Sequence, residues 1–186
     1  MSWIVVGLGN VGDEYIGTRH NVGRDFLHAL QKKLPPKIKV VLPDTYMNTS
    51  GAAIKKIITP AALSELLLPG KKAGEQFVVV HDDLDVPLGR IKLSFGSGAG
   101  GHKGVLSVQK ALKTKDFIRV RVGVSPTTPS GKLKKPASED VADFVLGKFK
   151  PTEQEKIKKV QKAVGEALEL LFAEGLDKAR TQVNAK

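Results

Sequence analysis

Four histidines, no cysteine and an acidic knot of Asp82, Asp83 and Asp85 are the chemically telling residues of this chain. The missing cysteines remove a thiol nucleophile, a Cys-bound zinc, an iron–sulfur cluster and a disulfide framework together. No serine sits in a Gly-x-Ser-x-Gly elbow, which favours direct attack by an activated water over an acyl-enzyme. Histidine is the natural base for that work, because its ordinary pKa lies near neutrality. A carboxylate on its second ring nitrogen would fix the tautomer and stabilise the imidazolium. Asp82 stands just past the strongest apolar run, Phe77-Val-Val-Val80, and is placed for that role. An acidic knot in a basic protein suits orienting a base or binding a metal better than contacting phosphate. Asn side chains offer uncharged amide donors that suit a carbonyl oxygen or a sugar hydroxyl.

The apolar pattern outlines the elements that must hold these groups. Trp3 to Val6 reads as a buried strand that stops at Gly7. Val22, Phe26, Leu27 and Leu30 share one helix face, and Pro35-Pro36 ends that helix. Ile38 to Leu42 is a second strand, closed by Pro43. Ser50 is placed to cap a helix carrying Ile54, Ile57 and Ile58. Pro60 and Pro69-Gly70 punctuate the next stretch, and Lys71 to Gly74 is a polar linker. Gln76 to His81, Ile91 to Phe95 and Phe117 to Val124 read as strands. Gly96 to Gly101 is a flexible loop before a helix over Gly104 to Leu112. Residues 125–138, rich in Pro, Ser and Lys, are expected to form a mobile lid or linker. Thr152 and Glu155 have capping-box spacing before a helix from Ile157 to Leu171, which Gly175 stops. Strands alternating with helices predict an α/β sheet with helices on both faces.

The 186 residues suit one domain, 1–186, and the apolar share of 41% is that of a globular chain. The longest apolar runs, Phe77–Val80 and Leu66–Leu68, are far short of a membrane span. The first residues run straight into a strand and show no secretory-leader pattern. Gly7-Leu-Gly9-Asn-Val-Gly12 matches a dinucleotide fingerprint, but no amphipathic helix succeeds it and no ribose-binding acid appears where one is needed. The net charge of +11 is uneven: residues 89–121 hold eight basic and one acidic side chain, and 31–72 hold eight and two. The first stretch is basic and glycine-rich together, the footprint of a polyanion partner.

Four segments, in order and spanning most of the chain, resemble the bacterial-type peptidyl-tRNA hydrolase family. They are Val6-Gly-Leu-Gly-Asn10 with Gly12-Asp-Glu-Tyr15 and Thr18-Arg-His-Asn21; Pro43-Asp-Thr-Tyr-Met-Asn48 with Ser50-Gly51; Val80-His-Asp-Asp-Leu-Asp85 with Pro87-Leu-Gly89; and Gly100-Gly-His-Lys-Gly104 with Phe117-Ile-Arg-Val-Arg-Val-Gly123. Asp143-Phe-Val-Leu-Gly-Lys-Phe149 is a further echo. The resemblance implies a single-domain, three-layer α/β fold, a twisted mixed β-sheet with helices on both faces. It implies hydrolysis of the ester joining a peptide to the tRNA 3′ end, with no cofactor and no metal. Carried over residue by residue, His20 is the catalytic base, Asp82 its partner, and Asn10 and Asn48 bind around the ester. Tyr15 and Met47 line the pocket, and Tyr46 is a substrate contact. Lys103 and Arg121, with Arg119, Arg90 and Lys92 nearby, suit phosphates of the acceptor stem and 3′ end. The implied protein is a monomer that contacts no membrane and works in the cytoplasm, an organelle being the alternative.

Two departures stand out. The family commonly has Asn where this chain has Lys103, and the stretch between the first helix and Pro43 is shorter than usual, so a smaller or altered sheet edge is expected. The Pro60 to Gly74 stretch also fits the pattern poorly. Asp83 and Asp85 read as turn or capping residues, and His81 as a satisfied strand-end histidine. His28 and His102 receive no role, although His102 could touch substrate. The competing functions are a non-catalytic RNA-binding relative, resembling plant organelle splicing factors, and a nucleotide-dependent oxidoreductase.

Overall fold

The computed structural model describes residues 3–58 and 74–185, so the expected turns at Pro60 and Pro69-Gly70 and most of the Lys71 to Gly74 linker lie outside the described residues. Among the described residues five strands form one sheet: β1 (Trp3–Gly7), β2 (Ile38–Val41), β3 (Phe77–Pro87), β4 (Ile91–Phe95) and β5 (Ile118–Ser125). The order is β2-β1-β3-β5-β4. β2, β1, β3 and β5 run parallel, and β4 is antiparallel to β5 at one edge. The sheet is therefore mixed, as the resemblance implied.

Alternation along the strands sends side chains to two cores, because successive strand residues face opposite ways. Val5, Val78, Val80, Val120 and Val122 pack with α1 (Val22–Leu30), α5 (Gln154–Glu174) and α6 (Leu176–Asn184). Ile4, Val6, Phe77 and Val79 pack on the other face with α2 (Ser50–Ile57) and α3 (Lys103–Leu112). A short helix, α4 (Val141–Leu146), lies between β5 and α5 in sequence. The result is a three-layer α/β/α arrangement.

The glycines of the apparent dinucleotide motif serve close packing. A Cβ on Gly7 would lie 2.5 Å from the Gly23 carbonyl oxygen, and one on Gly23 would lie 2.1 Å from that of Val80. Bare backbone there lets α1 settle onto β1 and β3. The motif opens no helix, since α1 begins only at Val22, after short 3₁₀ turns at Asp13–Tyr15 and Arg19–Asn21. No helix N-terminus faces a pyrophosphate at the motif, which removes the basis of the oxidoreductase reading.

Several local expectations are corrected. β3 does not end before the acidic knot: Asp82 pairs in register with Val122, because β5 extends far enough to carry β3 onward. Ser50 opens α2 without capping it, and its hydroxyl donates to the Met47 carbonyl. Thr152 makes no capping box with Glu155. Glu153 instead accepts the Lys150 N–H at 2.7 Å, because the helical chain already starts in a 3₁₀ turn at Pro151–Glu153. Gly175 does stop α5, at φ 79°, but α6 begins at once. Asn184 at the end of α6 both accepts from and donates to the Leu93 backbone, covering part of the β4 edge. The 125–138 segment folds back on itself, with Thr128 N–H donating to the Lys132 carbonyl and Lys134 N–H to that of Pro126.

Candidate active site

The parallel strands deliver their carboxyl ends to one side of the sheet, where crevices form in open α/β folds. His20 sits there in the Arg19–Asn21 turn, held by its neighbours. Arg19 is buried, pairs with Glu153 at 2.8 Å, and donates to the Gly147 and Lys148 carbonyls. Its guanidinium also lies over the rings of Phe144 and Phe149. Asn21 clamps the backbone of Asn10, accepting its N–H at 2.8 Å and donating to its carbonyl at 3.0 Å.

His20 Nδ1 lies 2.9 and 3.1 Å from the two oxygens of Asp82, whose side chain is 2% exposed. Burial alone would raise the Asp82 carboxyl pKa. Attraction and hydrogen bonds from His102 and His20 outweigh burial and hold the group well below the usual carboxylate range. Asp82 is therefore the ionised acceptor, and His20 Nδ1–H is the donor. The opposite ring nitrogen, Nε2, keeps its lone pair for a proton.

Asn10 Oδ1 accepts the Met47 N–H at 2.8 Å, so its amide NH₂ is the donor left to a substrate. His20, Asp82, Asn10, Met47, Asn48 and Lys103 all line one cleft of about 640 Å³. The apolar part of its lining comes from Leu84, Pro136 and the α4 residues Val141, Ala142, Val145 and Leu146, with Asp83, Asp85, Lys135 and Ser138 also in the lining. Asn48 and Lys103 are exposed, while Met47 is buried beneath them.

Three expected contacts stand outside the cleft lining. Tyr15 and Tyr46 pack edge to face, with ring centroids 6.4 Å apart and Tyr46 57% exposed. Arg121 is paired through Nε with Asp83 at 2.7 Å. That bond raises the arginine pKa and, against the effect of burial, lowers that of Asp83. Arg119 is buried and donates to Ser97 in the glycine loop at 2.6 Å, a role inside the fold and not on a phosphate surface. Asp83 also accepts the Asp85 N–H, as a turn residue would, and Asp85 pairs with Lys135. His81 is fully enclosed: Nδ1 donates to the Asp82 carbonyl at 2.6 Å, and Nε2 has no partner. The expectation of a satisfied histidine therefore holds for one nitrogen only. His28 is exposed on α1.

Sequence reasoning gave no role to His102, whose Nε2 lies 2.8 Å from Asp82 Oδ1. The available signal was its place directly before the Lys103-Gly-Val-Leu start of α3, where its Nδ1 accepts the Gly104 and Val105 N–H groups. His20, Asp82 and His102 bring ligand-type atoms within 4.8 Å of one another. The cluster is nonetheless poorly suited to a cation. Because His102 Nδ1 is an acceptor, its Nε2 carries the proton and has no lone pair for a metal. A histidine–carboxylate pair beside an amide donor, at the carboxyl ends of an α/β sheet, is an arrangement able to activate water for hydrolysis.

Comparison with known proteins narrows this class. The family model described as peptidyl-tRNA hydrolase matches residues 4–40 and 33–186. The peptidyl-tRNA hydrolase of Thermodesulfovibrio yellowstonii is 36% identical over 200 residues, covering 97% of this chain and 98% of that protein. That of Mycobacterium avium is 37% identical over 202 residues, covering 98% and 97%. The crystal structure of peptidyl-tRNA hydrolase from Acinetobacter baumannii superposes with a TM-score of 0.79 at 30% identity, covering 99% of this chain and 95% of that one. This chain belongs to the peptidyl-tRNA hydrolase family. The two matched segments share residues 33–40, which fall between α1 and Pro43.

Proposed function

We propose that the protein hydrolyses the ester joining a peptide to the 3′ end of tRNA, with water activated by His20. The observation that carries this is the His20–Asp82 pair at 2.9 Å, opening onto the cleft that Asn10 and Asn48 also line. His20 Nε2 takes a proton from water as the oxygen attacks the ester carbonyl carbon. Asp82 stabilises the imidazolium that results. The Asn10 amide donates to the oxygen on which negative charge develops. The carbon–oxygen bond to the ribose then breaks, and the leaving oxygen takes the proton back from His20. Free tRNA and a peptide carboxylic acid, which then gives its proton to solvent, are the products, and no step calls on a metal or cofactor.

Met47 and the apolar α4 wall suit the peptide side of the junction, and Asn48 suits a sugar hydroxyl. Exposed Lys103 at the rim suits a phosphate near the tRNA 3′ end. Arg121, already paired with Asp83, is the weaker phosphate ligand, and Tyr15 with Tyr46 form an aromatic edge at which unpaired bases could stack. One chain supplies every group named, which supports action as a monomer, and a tRNA substrate fits a cytoplasmic or organellar setting. Among the described residues no helix is long and apolar enough to cross a membrane.

The test is deacylation of an N-blocked aminoacyl-tRNA by the purified protein. Release of free tRNA is expected, with free aminoacyl-tRNA a poorer substrate. Binding of tRNA without any deacylation would favour the non-catalytic RNA-binding alternative.

A further inference from the structure

Asp82 Oδ1 receives two imidazoles, His20 at 2.9 Å and His102 at 2.8 Å. The second is fixed independently of the first. His102 Nδ1 accepts the N–H of Gly104 at 3.1 Å and of Val105 at 3.2 Å, so it holds a lone pair and the ring proton sits on Nε2. The side chain is 7% exposed, and its ring lies 4.8 Å from that of His20 on one side and 4.8 Å from that of His81 on the other. One nitrogen thus caps α3, and the other donates to the carboxylate beside the base.

We propose that His102 is a positioning residue for hydrolysis: its Nε2–H fixes the Asp82 carboxylate in the orientation that receives His20 Nδ1–H. A buried carboxylate with a single donor can rotate about its terminal torsion, and the ring it orients turns with it. A second donor, anchored to the first turn of a helix, removes that freedom. The inference rests on the reading of His20 as the base. It goes beyond that reading by making the start of α3 part of the catalytic geometry. Helix capping alone does not account for the Nε2 contact, since a cap needs only an acceptor.

The two roles separate by substitution. In His102→Asn the side-chain oxygen stands near the Nδ1 position and still accepts the two helix N–H groups, but the side chain is too short to reach Asp82. In His102→Gln the amide N–H reaches as far as Nε2, but the cap is lost. With N-blocked aminoacyl-tRNA, His102→Asn is expected to keep its melting temperature and to lose about 10-fold in kcat with KM little changed. His102→Gln is expected to keep kcat within about 3-fold and to melt at lower temperature. The ¹⁵N tautomer signature of His20 should be the Nδ1–H form in the wild type and a mixture in His102→Asn. Wild-type kcat and an unchanged His20 tautomer in His102→Asn would overturn the proposal, leaving His102 a cap. Equal losses in both variants with a raised KM would overturn it in favour of substrate contact. Should His20→Ala retain full activity, the base reading itself fails. Should His20→Ala be inactive while His102→Asn is fully active, only the positioning role of His102 fails.

Discussion

Asn10 shows how a single amide can be both held and free. Its oxygen accepts the Met47 N–H and its backbone is held by Asn21, which turns the NH₂ to the outside as the available donor. Asn10→Asp keeps the acceptor for Met47 and removes the donor. We expect kcat to fall about 10²- to 10³-fold with little change in melting temperature, and a loss below about 5-fold would remove Asn10 from oxyanion stabilisation. His81 supplies a separate prediction about stability. Burial, with His102 second, pushes its pKa from 6.5 down to about 3. Between those values the unfolded chain binds one more proton than the folded one, so stability falls as pH drops through that window, by up to about 1.4 kcal/mol per pH unit. Asp82 and Asp83, both held low, add further loss below the ordinary carboxylate range. Denaturant unfolding between pH 7 and 4 should show this slope in the wild type and a flatter one in His81→Asn; parallel slopes would contradict it. That His20, Asp82 and Asn10 gather at one cleft was legible in the sequence because each sits in a multi-residue motif. The His102–Asp82 contact was not, because it depends on which ring nitrogen meets which donor.

The elements were legible where apolar residues alternate or recur, as in Phe77–Val80 and Ile157–Leu171, because those patterns decide which face is buried. They were misread where side-chain hydrogen bonds set the boundary. Glu153, not Thr152, holds the 3₁₀ turn that leads into α5 by accepting the Lys150 N–H, and the same carboxylate pairs with Arg19, 134 residues away in the chain. No local pattern carries such a long-range partnership. α6 escaped notice because its exposed face is polar and only Leu176, Ala179 and Val183 are buried. The Arg19–Glu153 pair joins the turn bearing His20 to the segment beyond α4. Arg19→Met would strand a buried carboxylate and should cost about 3–5 kcal/mol in denaturant unfolding. The double change Arg19→Met with Glu153→Gln should recover part of that loss, and a cost below about 1 kcal/mol for the single change would show that the tie is weak.

At the scale of the molecule, the +11 charge resolves into distinct surfaces. Asp83 and Asp85 are matched by Arg121 and Lys135, whereas Lys103 stands exposed at the cleft rim. Arg90 and Lys92 are exposed beside and on β4, and Lys37 and Lys39 beside and on β2, at opposite edges of the sheet. Lysines on the β2 edge also discourage pairing with another chain. Affinity for tRNA should fall steeply with salt, and Lys103→Ala should lower the slope by about one. An unchanged slope would take Lys103 out of the phosphate footprint. The three-layer sheet was legible from strands alternating with helices. The placement of Tyr15, Tyr46 and Arg121 outside the cleft was not, because motif membership says which residues lie near a site and not which way they face. The central claim, that His20 activates water on the ester, is tested most directly by single-turnover hydrolysis of N-blocked aminoacyl-tRNA. His20→Ala is predicted to bind tRNA as the wild type does and to cleave it about 10²- to 10⁴-fold more slowly. Cleavage by His20→Ala at the wild-type rate would contradict the account.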